Sequence, residues 1–459
     1  MTATARRAAA LSAILIAAFL LRLPCLRGEL WFDEIWSLNF ARGAGSLAAV
    51  LFGVHHDNSH VLNTLWLYLV SGSRDFAVYR LFSFITGLLT VALLAHDEED
   101  PARGLLTAAL AAGSAVMVLF STEARGYAPM AFFAVLCRRL LPSVFFSPVK
   151  SRYNSLAFAA SALLGFLSHS TFVFVYAGLF AQYAPRLSRR QLVHLFAPAP
   201  ALMLLLAALQ RGRFEIGGAM YSSFWLVAAR TLTLWSGAPD APLMAAVGAL
   251  ILAGLYAREV VLLWKSRDPD FRFHSTLAVS AVVFAAAFPF RSERYFFAAL
   301  PFVLSLASRP LVRILRGPAP AKALACGLLA LYFLGNGARV RGLADGGRGH
   351  YLEAMNMMAA ETRGATVTVG TDHHLRNPLL LDFYADRVTP PKRIVHVAYA
   401  EMFRDPPEWY LAHTFDTDPR LAPVGLRFGN GPSYALAGIF PYSGLSGWAW
   451  LVYRRSPAI

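Results

Sequence analysis

The chain has 459 residues, 57% of them hydrophobic and 15% charged, with a mean hydropathy of +0.48. Soluble globules carry nearer a quarter of charged residues, so this composition excludes one and implies a polytopic membrane protein. The formal net charge of +15 does not point to nucleic acid, because Lys and Arg fall in short clusters between apolar runs and form no single basic domain.

With about 20 apolar residues as the length of a crossing, the first span falls at 8–26. It has the basic start and apolar middle of a signal peptide, but no small-x-small cleavage site follows, so it reads as a retained span. A polar stretch then runs to Arg80 and contains WFDE, which sets Asp33 and Glu34 between Trp31 and Trp36, and HHDNSH at His55–His60. HVLNTLWLYLVSG, within it, is too short to cross and is expected at the interface, with Trp66 and Tyr68 at headgroup level. LFSFITGLLTVALLAH, GLLTAALAAGSAVMVLF and APMAFFAVLCRRLL give spans two, three and four, separated by HDEEDPAR and STEARGYA. The run from Leu156 to Tyr183 is interrupted by Ser168, His169 and Ser170, which predicts a hairpin of two spans. Further spans are expected at 192–210, 241–264 and 275–290, then after RSERY, then at 321–336. The pattern predicts an α-helical polytopic membrane protein of about eleven transmembrane helices. Cys25, Cys137 and Cys326 lie in or beside separate apolar runs, indicating neither a disulfide framework nor a CxxC metal site.

With the N-terminus inside, the clusters around Arg138 and Arg139, Arg186 to Arg190, Arg258 to Arg272 and Arg309 to Lys322 all fall on the cytoplasmic side. HDEEDPAR is an acidic exception, and acids weigh little in that rule. From about residue 340 the periodicity changes: ATVTVGTD and RIVHVAYA read as strands, RNPLLLDFYAD as a helix and PYSGLSGWAWLVYRR as a final strand or hairpin. The expected organisation is a membrane module at 1–340, with a catalytic first outer loop at 27–80, and a small extracytoplasmic α/β domain at 341–459.

In this topology the chemically distinctive clusters share the outer face. Charged groups at span ends line wet cavities or pair with one another, because an ion inside the bilayer costs about 2.5 to 3.5 kcal/mol on insertion scales. Each cluster has a plainer reading beside the functional one. Asp33 and Glu34 are either site groups or acids favoured in the first turn of an interfacial helix. His56 and His60, four apart, match a helical metal pair, or else belong to a hydrogen-bonded loop with His55 and Asp57. Arg80 and Arg125 either meet an anion or snorkel to headgroups, and Glu123 and Tyr127 flank Arg125 at a turn. Arg291, Arg294 and Tyr295 in RSERY form a ligand site, or Glu293 simply pairs with an arginine. His169 marks the break inside its hairpin, and DHHLRN at Asp372–Asn377 reads as a strand-to-helix loop with the composition of a metal site.

WFDE, YRLFSFITGLLTV at the start of span two, EARGYA after span three and ERYFFAALP before span ten resemble, in that order, the GT-C membrane glycosyltransferases. The protein O-mannosyltransferase and aminoarabinose transferase branch is the nearest in pattern, and the resemblance covers residues 8 to 340. It implies transfer of one sugar from a polyprenyl phosphate carrier to a glycan, lipid or protein acceptor at the periplasmic face of a bacterial inner membrane. Asp33 would be the catalytic base and Glu34 would assist it. Arg80 would open span two at the site, and Arg125 and Arg294 would contact the donor phosphate, with Glu123, Tyr127, Arg291 and Tyr295 beside them. His55, His56, Asp57, His60 and His169 would line a substrate cavity. No resident cofactor is implied, and a divalent metal remains an option through His56 and His60. The chemistry suits these residue types: a sugar phosphate already has a competent leaving group, so the site needs one base and several cations. A lipid transporter or flippase is the competing class, with the charged cavity as its route, and transfer of an oligosaccharide from a lipid pyrophosphate is a second enzymatic reading.

Overall fold

The structure is a computed structural model and describes residues 2–56, 58–97, 99–146, 151–209, 215, 223–287, 292–416, 418–419, 422–429 and 431–456. Helices dominate up to residue 361: α1 (Ala3–Arg22), α2 (Phe32–Gly43), α3 (Leu47–Phe52), α4 (Val61–Val70), α5 (Phe76–Leu94), α6 (Pro101–Gly113), α7 (Ala115–Ser121), α8 (Tyr127–Phe146), α9 (Ser151–Ser168) and α10 (Phe172–Tyr183). They continue as α11 (Arg189–Phe196), α12 (Pro198–Leu209), α13 (Phe224–Ser236), α14 (Pro242–Lys265), α15 (Asp270–Ala287), α16 (Leu300–Leu315), α17 (Ala319–Gly346) and α18 (Tyr351–Glu361). Among the described residues, five helical segments are long and apolar enough to cross a membrane, or seven if the bent pairs α6–α7 and α11–α12 each count as one span. The sequence pattern implies about eleven. The difference lies in segments such as α10, of 12 residues, and α15, which opens on Asp270, Arg272 and His274. The hairpin expected at 156–183 is two helices, with the break at 169–171.

The chain divides into two compact units: one of residues 1–26, 40–73 and 77–340, the other of 27–39, 74–76 and 341–459. In the first, α6 and α7 meet at a bend of 66°. Such a break in an apolar layer strands backbone polar groups, and each must find a partner. Tyr332 donates its hydroxyl to the Leu110 carbonyl at 2.8 Å, the fully buried Arg22 donates to Ala112 O at 3.1 Å, and Asn336 Oδ1 accepts the Ala115 N–H at 2.8 Å. Three side chains from distant segments therefore hold the kink that leads into EARGYA.

Arginines and acids pair extensively in the same unit. Asp100 of HDEEDPAR accepts two bonds of 2.8 Å from Arg316, Asp270 receives Arg138 at 3.0 Å and Arg309 at 2.9 Å, and the buried Glu259 receives Arg258 and Arg313. Within the acidic exception in the charge pattern, Asp100 thus pairs with one of the basic clusters, while Asp97 and Glu99 pair with Arg103 of the same segment. Leu204, Leu243 and Leu250 are more than 70% exposed, as side chains facing lipid are.

The second unit is built on a six-stranded sheet of order β2–β1–β3–β6–β5–β4, with β1 Thr366–Thr371, β2 Arg393–Val397, β3 Trp409–Thr414, β4 Gly425–Arg427, β5 Ser433–Phe440 and β6 Ala449–Arg455. β1 runs parallel to β2 and β3, and the remaining pairs are antiparallel. The helix α19 (Arg376–Tyr384) connects β1 to β2, so β1–α19–β2 is a βαβ unit. Val397, Met402, Tyr410, Tyr434, Leu451 and Tyr453 pack a core on one side. Residues 27–39 belong here because Glu29 accepts the Leu352 N–H at 2.9 Å at the start of α18, and Tyr384 donates to Leu30 O at 2.8 Å.

Candidate active site

In the unit that carries the sheet, Trp31 is the residue before α2, Asp33 lies in its first turn and Glu34 is the third helical residue. Glu34 is fully buried and its Oε2 accepts the Trp31 N–H at 3.4 Å, the reach-back of a capping box. The pair therefore separates: Glu34 shapes the start of the helix, and Asp33 is the half-buried carboxylate beside it. Trp31 and Phe32 are fixed against the Trp448 ring, with centroids 6.4 and 5.6 Å away. Arg376 lies within electrostatic reach of Asp33.

The helical unit holds a second group. Arg125, 4% exposed, sits in the turn between α7 and α8 and donates to both the backbone and side-chain oxygens of Asn58. His60 Nδ1 accepts the Gly126 N–H at 2.7 Å, which places the neutral ring's proton on Nε2, and Nε2 faces Arg125 Nη2 at 3.4 Å. Arg125 and the His60 Nε2–H are thus two donors brought together in one buried turn, groups of the kind that suit an anionic oxygen. Burial, and then the charges of Arg125, His169 and Arg294, hold the His60 pKa well below its ordinary 6.5, so the ring is neutral at neutral pH. The rings of His60, Tyr127 and His169 stand 4.6 to 5.2 Å apart, and His169 is fixed by Thr171, whose hydroxyl lies 2.8 Å from Nδ1. Arg294, Tyr295 and Glu123 all act electrostatically on Tyr127. Gly126 is obligatory: a Cβ there would lie 1.9 Å from the Ser168 carbonyl oxygen.

The structure thus gathers His60, Glu123, Arg125, Tyr127, His169, Arg294 and Tyr295, while Asp33 and Glu34 belong to the other compact unit. Arg80 does not snorkel to headgroups. It is fully buried in α5 and donates to the Leu26 carbonyl at 2.8 Å. Glu293 pairs with Arg230 at 3.9 Å. His55 Nε2 contacts Phe52 O at 2.7 Å, and the His55 carbonyl accepts the Glu215 N–H. Asp57 and Arg291 lie outside the described residues. Asn58, Asn63 and Ser83 escaped the sequence reading: Asn63 donates to Ala124 O and Ser83 to Arg125 O, bonds between segments 42 and 61 residues apart that no local spacing signals.

His56 and His60 do not share a helix. Their spacing of four aligns ligands only on a helix, and both precede α4 in a loop, where each Nδ1 accepts a backbone N–H, from Asn58 and Gly126 respectively. Among the described residues no group of three or more His, Cys, Asp or Glu side chains is placed to hold a metal.

No protein-family model matches the chain, and no curated protein does. Solved structures do. The crystal structure of ArnT from Cupriavidus metallidurans in the apo state aligns with a TM-score of 0.56 at 12% identity, over 99% of this chain and 98% of that one. The same protein bound to undecaprenyl phosphate aligns at 0.52 and 14% identity, over 98% of each chain. The chain has the GT-C fold. Its chemistry must be argued from the side chains.

Proposed function

We infer that the protein is a membrane glycosyltransferase that moves a single sugar from a polyprenyl phosphate carrier to an acceptor hydroxyl or amine. The observation that carries this reading is the buried Arg125 guanidinium facing His60 Nε2, with Arg294 close by, in a chain of GT-C fold. A desolvated cation with a second convergent donor suits a phosphate. The ArnT structure with undecaprenyl phosphate supports the choice of a lipid-linked one.

In the proposed reaction, Asp33 takes the proton of the acceptor as its oxygen or nitrogen attacks the anomeric carbon. The bond from that carbon to the phosphate oxygen breaks, and its electron pair leaves with the lipid phosphate. Arg125, Arg294 and the His60 Nε2–H stabilise the charge that develops there, and Arg80 holds the turn before the first outer loop. Direct displacement inverts the anomeric carbon. The site would face the outer side of a bacterial inner membrane. For a transporter, the broken span α6–α7 would be the feature to use. Its Leu110, Ala112 and Ala115 backbone groups are bonded to side chains instead of being offered to cargo.

Purified protein incubated with a panel of synthetic undecaprenyl phosphate sugars and a membrane extract tests the proposal. Transfer with an inverted anomeric configuration in the product is expected. Retention would require a covalent glycosyl-enzyme, and no transfer from any donor would remove the glycosyltransferase reading.

A further inference from the structure

Two carboxylates in the helical unit each hold a pair of arginines, and the two pairs differ. Asp270, at the start of α15, receives Arg138 of α8 and Arg309 of α16 on the same Oδ2, at 3.0 and 2.9 Å. Gln182 of α10 donates to its other oxygen at 2.6 Å, and the Arg138 guanidinium lies over the Phe273 ring, 4.2 Å from its centroid. Each bond crosses from one helix to another, and the two arginine side chains are 24 and 21% exposed. That is a staple.

Glu259, in α14, is just as deeply set but is differently used. Its Oε1 accepts Arg258 Nη1 at 2.7 Å and also Arg313 Nη2 of α16. The bond to Arg313 ties α14 to α16. The bond to Arg258 ties nothing, because the two residues are chain neighbours within one helix, where positions i and i+1 do not face each other. Its result is to bring a second guanidinium onto the oxygen that holds the first. Two cations share one carboxylate, which leaves a surplus positive charge. Their side chains are 58 and 52% exposed, more than twice as open as the Asp270 pair. A guanidinium has five N–H donors, so one bond each to Glu259 leaves donors of both arginines open to the surroundings. The flank of α14 around them is apolar and exposed, with Leu250 and Val261 on it. Exposed Trp264 lies about 9 Å further along the axis than Arg258, near the helix end, where an interfacial tryptophan belongs.

We propose that Arg258 and Arg313, brought together by the buried Glu259, form a headgroup site for an anionic phospholipid, whose phosphate takes the guanidinium donors while its acyl chains lie along the exposed flank of α14. Charge complementarity selects the occupant. A surplus cation at a span end, bordered by side chains that face acyl chains, fits an anion that carries its own apolar tail. The planar guanidinium also matches a phosphate through two oxygens at once. A staple between α14 and α16 would need Arg313 alone.

Native mass spectrometry of the full-length protein in detergent, titrated with dioleoyl phosphatidylglycerol or with dioleoyl phosphatidylcholine, reads the affinity for the first lipid bound. Wild type is expected to prefer phosphatidylglycerol, and equal affinities for the two lipids overturn the proposal. In Arg258→Gln the affinity for phosphatidylglycerol falls about fivefold, the worth of one basic group beside an anionic lipid. Its melting temperature in phosphatidylcholine stays at the wild-type value, because the bond from Arg313 to Glu259 remains. Arg6→Gln removes the same charge from an exposed position in α1 and leaves the lipid affinity unchanged. Equal losses in Arg258→Gln and Arg6→Gln would mean diffuse attraction and would overturn the site. Excess inorganic phosphate is expected to leave the lipid bound; displacement would assign the arginines to a soluble anion and overturn the headgroup reading. Should Arg258→Gln not fold, the lipid preference of wild type and the phosphate competition still decide the matter.

Discussion

At the scale of the residue, the geometry separates groups that the sequence presents as equals. Asp33 and Glu34 are adjacent acids, yet Glu34 is buried and bonded to the Trp31 N–H, so Glu34→Gln, which keeps an acceptor there, preserves the fold far better than Glu34→Ala in a thermal melt. Arg125→Ala raises the KM for a lipid phosphate sugar about 10- to 100-fold, the loss of a charge-assisted hydrogen bond worth ~1.5–3 kcal/mol. Steady-state kinetics with one synthetic donor measures it, and an unchanged KM would place the phosphate elsewhere. His60 gives a pH signature. Its pKa is depressed in the folded protein, so below about pH 6.5 the unfolded chain binds more protons and stability falls as the solution is acidified. His60→Gln flattens that acid-side loss in melting temperature, and a slope equal to the wild type would assign it to other groups.

At the scale of the element, the kink between α6 and α7 and the turn after it depend on single side chains. Asn336→Leu leaves the buried Ala115 N–H without its acceptor and lowers stability by about 1–3 kcal/mol in denaturant unfolding. A change within error would mean another group takes its place. This is also the scale at which the limits of the sequence show. The apolar runs, the hairpin break at His169 and the strands β1, β2 and β6 were legible, because run length and alternation are local signals. β3, with its Trp409–Thr414 run flanked by Pro406 and Pro407, and β5, with a register shift between Leu436 and Gly438, lack a clean alternation and went unread. In the site, Arg125 and Tyr127 announced themselves by a charged motif between apolar runs. The partner that fixes Arg125, Asn58, is 67 residues away along the chain, and no local spacing joins the two. The hydrogen bonds that link Asp372, His413 and Arg376 join strand and helix ends that only the sheet order brings together.

At the scale of the whole molecule, the assigned base is not part of the helical unit. Residues 27–39 fold with 341–459, through Glu29 on Leu352, Leu30 on Tyr384 and Trp31 on Trp448. A fragment of residues 341–459 is therefore expected to melt at a lower temperature alone than with a synthetic peptide of residues 27–39 added, and no shift on titration would mean that the first loop contributes nothing to that unit. The same membership explains why a domain boundary drawn at 340 on composition misses the loop: its acids and tryptophans look like an interfacial segment, and their partners lie more than 300 residues on. The most direct test of Asp33 as the base is the rate of sugar transfer from a synthetic undecaprenyl phosphate donor by wild type and by Asp33→Asn at matched melting temperature. The expected result is a loss of about 10²- to 10⁴-fold in kcat with donor binding retained. Transfer at the wild-type rate in Asp33→Asn would contradict it and move the base to another residue.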